Sequence, residues 1–248
     1  MRNIKLLIEY DGSRYDGWQR LGKNSGQKTI QGKIEAVLEK MTGEAIEISG
    51  SGRTDAGVHA CGQVANFHTC TELSCKEIQS YLNRYLPEDI GILSVCEVDS
   101  RFHSRLNARS KKYLYRIVDG GAPCVFDRKY VCRCNETLDI EAMREAAGIL
   151  VGRHDFRAFS SVKRTKKSTV REIYSIDICR EKREIHMLFH GNGFLYNMVR
   201  IMAGTLIEVG AGKRPAKEMA AVLASKSRER AGVTAFPSGL CLYEVDYE

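Results

Sequence analysis

Residues 50–60 read Gly50-Ser51-Gly52-Arg53-Thr54-Asp55-Ala56-Gly57-Val58-His59-Ala60. The glycines permit tight, positive-φ backbone. A loop of that kind can hold one carboxylate, Asp55, in a cleft with the Arg53 guanidinium two residues away. The chemistry on offer is that of a single carboxylate beside a cation. Taken alone, such an aspartate is more often a turn or cap residue, because its side chain bonds nearby backbone N–H groups. His59 invites a general-base reading, but a hydrogen bond that fixes the loop is the better assignment for it.

Other patterns that carry chemistry fail on spacing. Gly210-Ala211-Gly212-Lys213 is placed like the end of a phosphate-binding loop, but Ile207 and Arg214 stand where Gly and Ser or Thr are required. Gly50-x-Gly52 meets Asp55 at the third glycine position, so there is no dinucleotide fingerprint. No Gly-x-Ser-x-Gly elbow occurs. ATP, NAD and an acyl-enzyme serine all lose support. The 9 cysteines are odd in number and scattered, unlike a secreted disulfide framework. Cys132-x-Cys134 and His68-x-Cys70 with Cys75 lack metal spacing, so ordinary reduced thiols and no metal site are expected. No run reaches the ~18 apolar residues of a membrane span. The start, Met1-Arg2-Asn3-Ile4-Lys5, has no apolar signal region. A cytoplasmic location is the expectation.

The net charge of +7 is unevenly spread. Residues 105–116 hold Arg105, Arg109, Lys111, Lys112 and Arg116 with no acid, and residues 163–171 hold Lys163, Arg164, Lys166, Lys167 and Arg171 with none. Basic runs beside Tyr113 and Tyr115 suit a polyanion such as nucleic acid. Solvated loops and helix faces would look the same in composition.

The elements that must position these groups follow from periodicity and caps. Ile4–Tyr10 reads as a strand ending at Asp11-Gly12. Thr29 is placed to cap a helix carrying Ile30, Ile34, Val37, Leu38 and Met41, with Gly43 to end it. Residues 45–49, 62–68 and 90–98 look extended, and Ser74-Cys75-Lys76-Glu77 is a capping box before a helix. In the second half, 113–118, 171–180 and 184–190 look extended, and Ile140–Leu150 looks helical. The run 194–209 has a helical pattern, and Pro215 suits the first residue of a further helix. At the end, Cys241, Tyr243, Val245 and Tyr247 alternate with Glu244 and Asp246, as in a half-buried strand. This predicts an α+β fold of two similar halves, 1–107 and 108–248, with antiparallel-rich sheets joined side by side and a cleft between them.

Several ordered motifs, spread over nearly the whole chain, carry a resemblance. They are Asp11-Gly12 with Gly17-Trp18-Gln19-Arg20; Gly52 to Ala60 with Gln63, Val64 and Phe67; Phe102-His103-x-Arg105 with Lys112-Tyr113-x-Tyr115; Leu150-Val151-Gly152-x-His154-Asp155-Phe156; and Asn192-x-Phe194-Leu195-x-x-Met198-Val199-Arg200 with Gly204 and Glu208-Val209-Gly210. Together they are similar to the signature of the tRNA pseudouridine synthase A family. Departures are marginal: Leu21 follows Arg20 where the family often has Gln, and Ala235-Phe236-Pro237 replaces a common double proline.

The resemblance implies isomerisation of uridine to pseudouridine in the anticodon stem-loop of tRNA, at tRNA positions 38 to 40. It implies Asp55 as the catalytic carboxylate, either attacking C1′ or acting as a base toward a glycal. It implies Arg200 as the cation that keeps a desolvated carboxylate charged. Arg53 would fill the space left by a flipped nucleotide, and Tyr113 would stack on the uracil. No cofactor is implied, and members act as homodimers. Another RNA or uridine position remains open, as does a non-catalytic RNA-binding module on the same scaffold.

Overall fold

The computed structural model describes residues 1–20, 28–162 and 168–248. Leu21, and Lys163, Arg164, Lys166 and Lys167 of the second basic run, lie outside the described residues. The architecture is α+β, and the chain separates into two compact units. One comprises Met1–Arg109 with Cys241–Glu248, the other Ser110–Leu240.

In the first unit, strands β1 (Arg2–Tyr10), β2 (Ser49–Gly50), β3 (His59–Thr69), β4 (Ile90–Val98) and β10 (Leu240–Asp246) form a sheet in the order β4-β1-β3-β10, with β2 on β3. β1 runs antiparallel to both β3 and β4, while β10 runs parallel to β3. Ile4, Leu6 and Ile8 of β1 are wholly buried, the period-2 pattern of a strand with one face in the core. Helix α1 (Ile30–Thr42) starts where Thr29 Oγ1 accepts from Gly32 N and stops at left-handed Gly43. Its Ile30, Ile34 and Leu38 are buried at helical spacing. Helix α2 (Cys75–Tyr85) has both arms of the Ser74/Glu77 capping box and buries Ile78 and Leu82.

The stretch expected to be extended at 45–49 is strand only at Ser49–Gly50. The reason is specific: Glu35 Oε1 accepts from Ile48 N at 3.0 Å and Gln31 Nε2 donates to Ile48 O at 3.3 Å. Side chains of α1 thus satisfy the backbone groups a ladder would otherwise use.

In the second unit, β5 (Ser110–Asp119), β6 (Cys132–Cys134), β7 (Gly152–Asp155), β8 (Val170–Glu181) and β9 (Glu184–Gly191) form a sheet in the order β5-β9-β8-β7, antiparallel throughout, with β6 parallel to β5. Helices α3 (Ile140–Leu150), α4 (Met198–Gly210) and α5 (Glu218–Ser225) complete it. α3 packs on β8, α4 and α5. β6 was not foreseen; three residues are too few for a periodic signal.

Three expectations need correction. The helix expected across 194–209 begins at Met198, because Asn197 adopts a left-handed conformation (φ 60°) that ends the preceding loop. Pro215 does not open a helix: Glu218 N and Met219 N close turns on Pro215 O and Ala216 O, and α5 starts at Glu218. Finally, Cys241–Glu248 belongs to the first unit instead of the second. The chain end is held there by Arg109 N donating to Asp246 O at 2.8 Å and Tyr247 Oη donating to Ser104 O at 2.6 Å. In β10 the buried residues are Leu240, Leu242 and Val245, so the simple alternation expected from Cys241 to Tyr247 breaks.

Candidate active site

Asp55 lies in the turn between β2 and β3, half-buried, with Arg53 exposed and Thr54 buried beside it. The loop is tied at many points. Thr54 Oγ1 shares a hydrogen bond of 2.8 Å with the Tyr10 hydroxyl, and Thr54 O accepts from Trp18 N at 3.1 Å. Gly57 N donates to Tyr15 O, and Val58 N closes a turn on Asp55 O. At the other end Gln63 bridges the loop, accepting from Ser51 Oγ at 2.7 Å and donating to Gly52 O at 2.9 Å. Gly12 N donates to His59 Nδ1 at 3.1 Å. The same nitrogen lies 3.2 Å from Asp11 Oδ1, so the imidazole ties the start of β3 to Asp11-Gly12 and fixes the loop as expected from the sequence.

Glycines let the segments approach this closely. A Cβ on Gly17 (φ 99°) would stand 2.6 Å from Thr54 O, and one on Gly12 would stand 2.0 Å from Val58 O. A Cβ on Gly50 would strike the indole of Trp18 at 2.5 Å. Trp18 is 3% exposed and packs on Tyr10 with ring centroids 6.1 Å apart. It is a wall of the carboxylate loop. Arg20 follows it, with Nη1 3.4 Å from Glu35 Oε2. Glu35 is a residue that sequence reasoning missed. A glutamate on the buried stripe of α1, four residues after Gln31, was the available signal, and the two are hydrogen-bonded at 2.8 Å.

Tyr113 and Arg200 belong to the second unit. Tyr113 sits in β5, 8% exposed, with its ring edge-on to Phe194 at 5.1 Å. Arg200 lies in the first turn of α4, half-buried; Nε donates to Ala235 O at 2.8 Å and Nη1 to Asn197 Oδ1 at 3.3 Å. Ala235 N in turn donates to Arg200 O at 3.0 Å. Ala235 thus clamps this arginine through both its backbone N–H and its C=O. Asn197, another residue missed, also donates to Ser161 Oγ at 3.0 Å, which fixes its amide. Tyr115 lies close enough for the Arg200 charge to be felt at its hydroxyl; burial pushes that phenol well above its usual range. Its hydroxyl donates to Phe236 O at 2.9 Å. The structure thus groups Arg53 with Asp55 in one unit, and Tyr113 with Arg200 in the other.

The basic runs are less uniform than their composition implied. Arg105 and Arg109 are exposed and Lys111 and Lys112 half-exposed, but Arg116 forms a two-pronged pair with Glu184 at 2.8 and 2.9 Å. Arg171 is half-buried and donates to Ser168 O and Val170 O. Cys124, Asp127 and Glu184 offer ligand atoms within 4.8 Å of one another. Both Glu184 oxygens already serve Arg116, so the cluster is an ion-pair site in chemical character.

With this geometry in view, the comparisons with known proteins decide the family. The chain matches the family described as tRNA pseudouridine synthase over residues 6–107 and 146–248. It belongs to that family. It is 51% identical over 247 residues to tRNA pseudouridine synthase A of Bacillus sp. (strain KSM-64), covering 100% of both chains. It is 49% identical to tRNA pseudouridine synthase A 2 of Bacillus anthracis and 46% identical to tRNA pseudouridine synthase A of Clostridium kluyveri, again covering 100% of both chains in each case. The matched family regions include the Asp55 loop, β10 and α4. They leave out 108–145, the stretch that holds β5 and Tyr113.

Proposed function

We propose that this family member isomerises uridine to pseudouridine in tRNA, in the anticodon stem-loop at tRNA positions 38 to 40. The observation that carries the reading is the Asp55 loop. Its carboxylate is half-buried, and its backbone is fixed by contacts from Tyr10, Tyr15, Trp18 and Gln63. Reactive groups need to be held in such a way, since small errors in position forfeit rate.

The reaction breaks the N1–C1′ bond, turns the uracil and joins C5 to C1′. Atoms and electrons balance within one nucleotide, so a carboxylate, a cation and a base-holding surface are sufficient. In this reading Asp55 acts at the sugar, as nucleophile at C1′ or as a base. Arg200 supplies the positive charge a reactive carboxylate requires. The clamp from Ala235 and Asn197 fixes its direction, which suits that role better than a loose phosphate contact. Tyr113 supports the flipped uracil with Phe194 braced behind it, as stacking aromatics do for splayed bases. Exposed Arg53 enters the space the nucleotide leaves. The working enzyme is a cytoplasmic homodimer, with one tRNA reaching both subunits.

The test is tritium release from C5-labelled uridine in unmodified tRNA. Wild type should release tritium, and Asp55→Ala should not while still binding tRNA. Release that persisted in Asp55→Ala would overturn the assignment. Mapping the modified positions distinguishes the anticodon stem-loop from another RNA site. Arg200→Ala should lose activity more than affinity; equal loss would reduce Arg200 to an RNA contact.

A further inference from the structure

Two thiols of the first unit stand side by side. Cys61 Sγ lies 3.3 Å from Cys241 Sγ, although the residues are 180 apart in sequence. Cys61 is exposed and Cys241 half-exposed. They sit on β3 and β10, whose parallel pairing matches Cys241 with His59 and Leu242 with Ala60. A regular ladder would set Cys61 opposite Tyr243, two residues from Cys241. The register of β3 against β1 shifts between the Ile8/Gln63 and Tyr10/Ala60 pairs, so one extra residue is accommodated at Cys61-Gly62. A bulge re-aims the side chains it carries. Gly62 also lets the strands close up here: a Cβ on it would lie 2.3 Å from Tyr243 O.

We propose that Cys61 and Cys241 are an oxidation site that closes to an intramolecular disulfide when the protein meets a peroxide. The sulfurs must approach by about 1.3 Å to reach the bonded distance of ~2.0 Å, a displacement within reach of side-chain rotation and a small local shift. One thiolate attacks the peroxide oxygen and becomes a sulfenic acid, releasing water. The neighbouring thiol then displaces hydroxide from that sulfur, and a second water leaves. Two S–H bonds are lost, one S–S bond forms, and the peroxide takes the two electrons.

The pair has a structural consequence that a lone thiol would lack. The ladder joining β10 to β3 pairs only Cys241 with His59 and Leu242 with Ala60. A disulfide would staple the end of the chain to the strand that begins shortly after the Asp55 loop.

The experiment treats the purified full-length protein with equimolar hydrogen peroxide, blocks remaining thiols with N-ethylmaleimide, and maps peptides by mass with and without dithiothreitol. The expected product is a reducible peptide pair joining Cys61 to Cys241, lighter than the two free peptides by about 2 Da. Exposed Cys70 and Cys179 should remain alkylated under the same conditions. The oxidised protein should unfold at a midpoint roughly 5 °C above the reduced one. Cys61→Ser and Cys241→Ser should each remove the product and the shift. Three results would overturn the proposal: both thiols still alkylated when Cys70 and Cys179 are oxidised; a sulfinic acid at Cys61 with Cys241 still alkylated; or only intermolecular disulfides. Peptide mapping of the wild type decides between these outcomes even if a variant folds poorly.

Discussion

Gly17→Ala is the substitution that most directly tests how the carboxylate loop is held. Gly17 has φ 99°, outside the range L side chains adopt readily, and a Cβ there would lie 2.6 Å from Thr54 O, 3.1 Å from Asp55 C and 3.2 Å from Ala56 N. All three are backbone atoms, so no side chain can turn away. Backbone strain contributes about 1–2 kcal/mol. Relief of the clash requires the loop to retreat, which loosens the Trp18 N to Thr54 O bond at 3.1 Å and removes about 1 kcal/mol more. The sum is roughly 3 kcal/mol, a fall in unfolding midpoint of about 6–12 °C for a chain of this size. Because the displaced atoms flank Asp55, kcat should fall by about a hundredfold, the penalty of an error near 1 Å. The contrast is Gly43→Ala at the end of α1. Its φ is 71°, yet nothing lies within 4 Å of the added carbon. Only strain of about 1 kcal/mol applies there, with kcat unchanged. The assays are thermal unfolding and tritium release at saturating tRNA. If Gly17→Ala kept kcat within about threefold of wild type, or matched Gly43→Ala in stability, the close approach would not be what positions Asp55.

Other perturbations read other parts of the structure. Asp119, with its side chain 1% exposed, is held by both Nη atoms of Arg180 at 2.7 and 2.9 Å, and this pairing lowers its pKa from the ordinary 3.8. Its stabilisation is present above pH 3.8 and lost as pH falls through the lower folded value, so Arg180→Met should destabilise by about 2 kcal/mol at neutral pH and flatten the acid limb of the stability curve. Ser74→Ala removes the α2 capping box and should lower stability by about 1 kcal/mol in urea unfolding, leaving tritium release intact. Arg105→Ala should reduce the slope of log affinity for tRNA against log salt by about 0.7–0.9, whereas Arg116→Ala should leave it unchanged because Glu184 already occupies that guanidinium. Tyr113→Phe should retain most activity and Tyr113→Ala should lose it; equal loss would assign the work to the hydroxyl and not the ring.

What could be read in the sequence was what local chemistry dictates. α1 begins after Thr29 and ends before Gly43, as its caps and periodicity predicted, and α3 spans Ile140–Leu150 as expected from the sequence. The α2 capping box is equally local. Errors arose where distant partners decide. Ile48 looks like a strand residue, but its N–H and C=O are taken by Glu35 and Gln31 from another element. Phe194–Asn197 fits the helical period, yet Asn197 turns left-handed and spends its amide on Ser161 and Arg200. The placement of β10 depends on β3, which lies more than 170 residues earlier in the chain, and nothing within Leu240–Asp246 names that partner.

The same division applies to the candidate site. The glycines around Asp55 marked a tight loop, but read alone that aspartate was a turn residue, and only the resemblance of the ordered motifs singled it out. The groups that fix the loop were not legible, because a hydrogen bond between Tyr10 and Thr54, or an indole against Gly50, leaves no mark in spacing. Those contacts also explain why the loop can carry function at all. In an ordinary turn the aspartate side chain is what holds the backbone in shape. Here Thr54 and Gly57 on either side are bound from β1, Tyr15 and Trp18, so the shape of the loop does not rest on the Asp55 side chain alone. The carboxylate can then serve chemistry without the loop collapsing when its charge is lost. This makes a sharp demand. Substitution of Asp55 by Asn should leave the unfolding midpoint within about 2 °C of wild type while abolishing tritium release. A large loss of stability in Asp55→Asn would return the residue to the ordinary role of an aspartate in a turn.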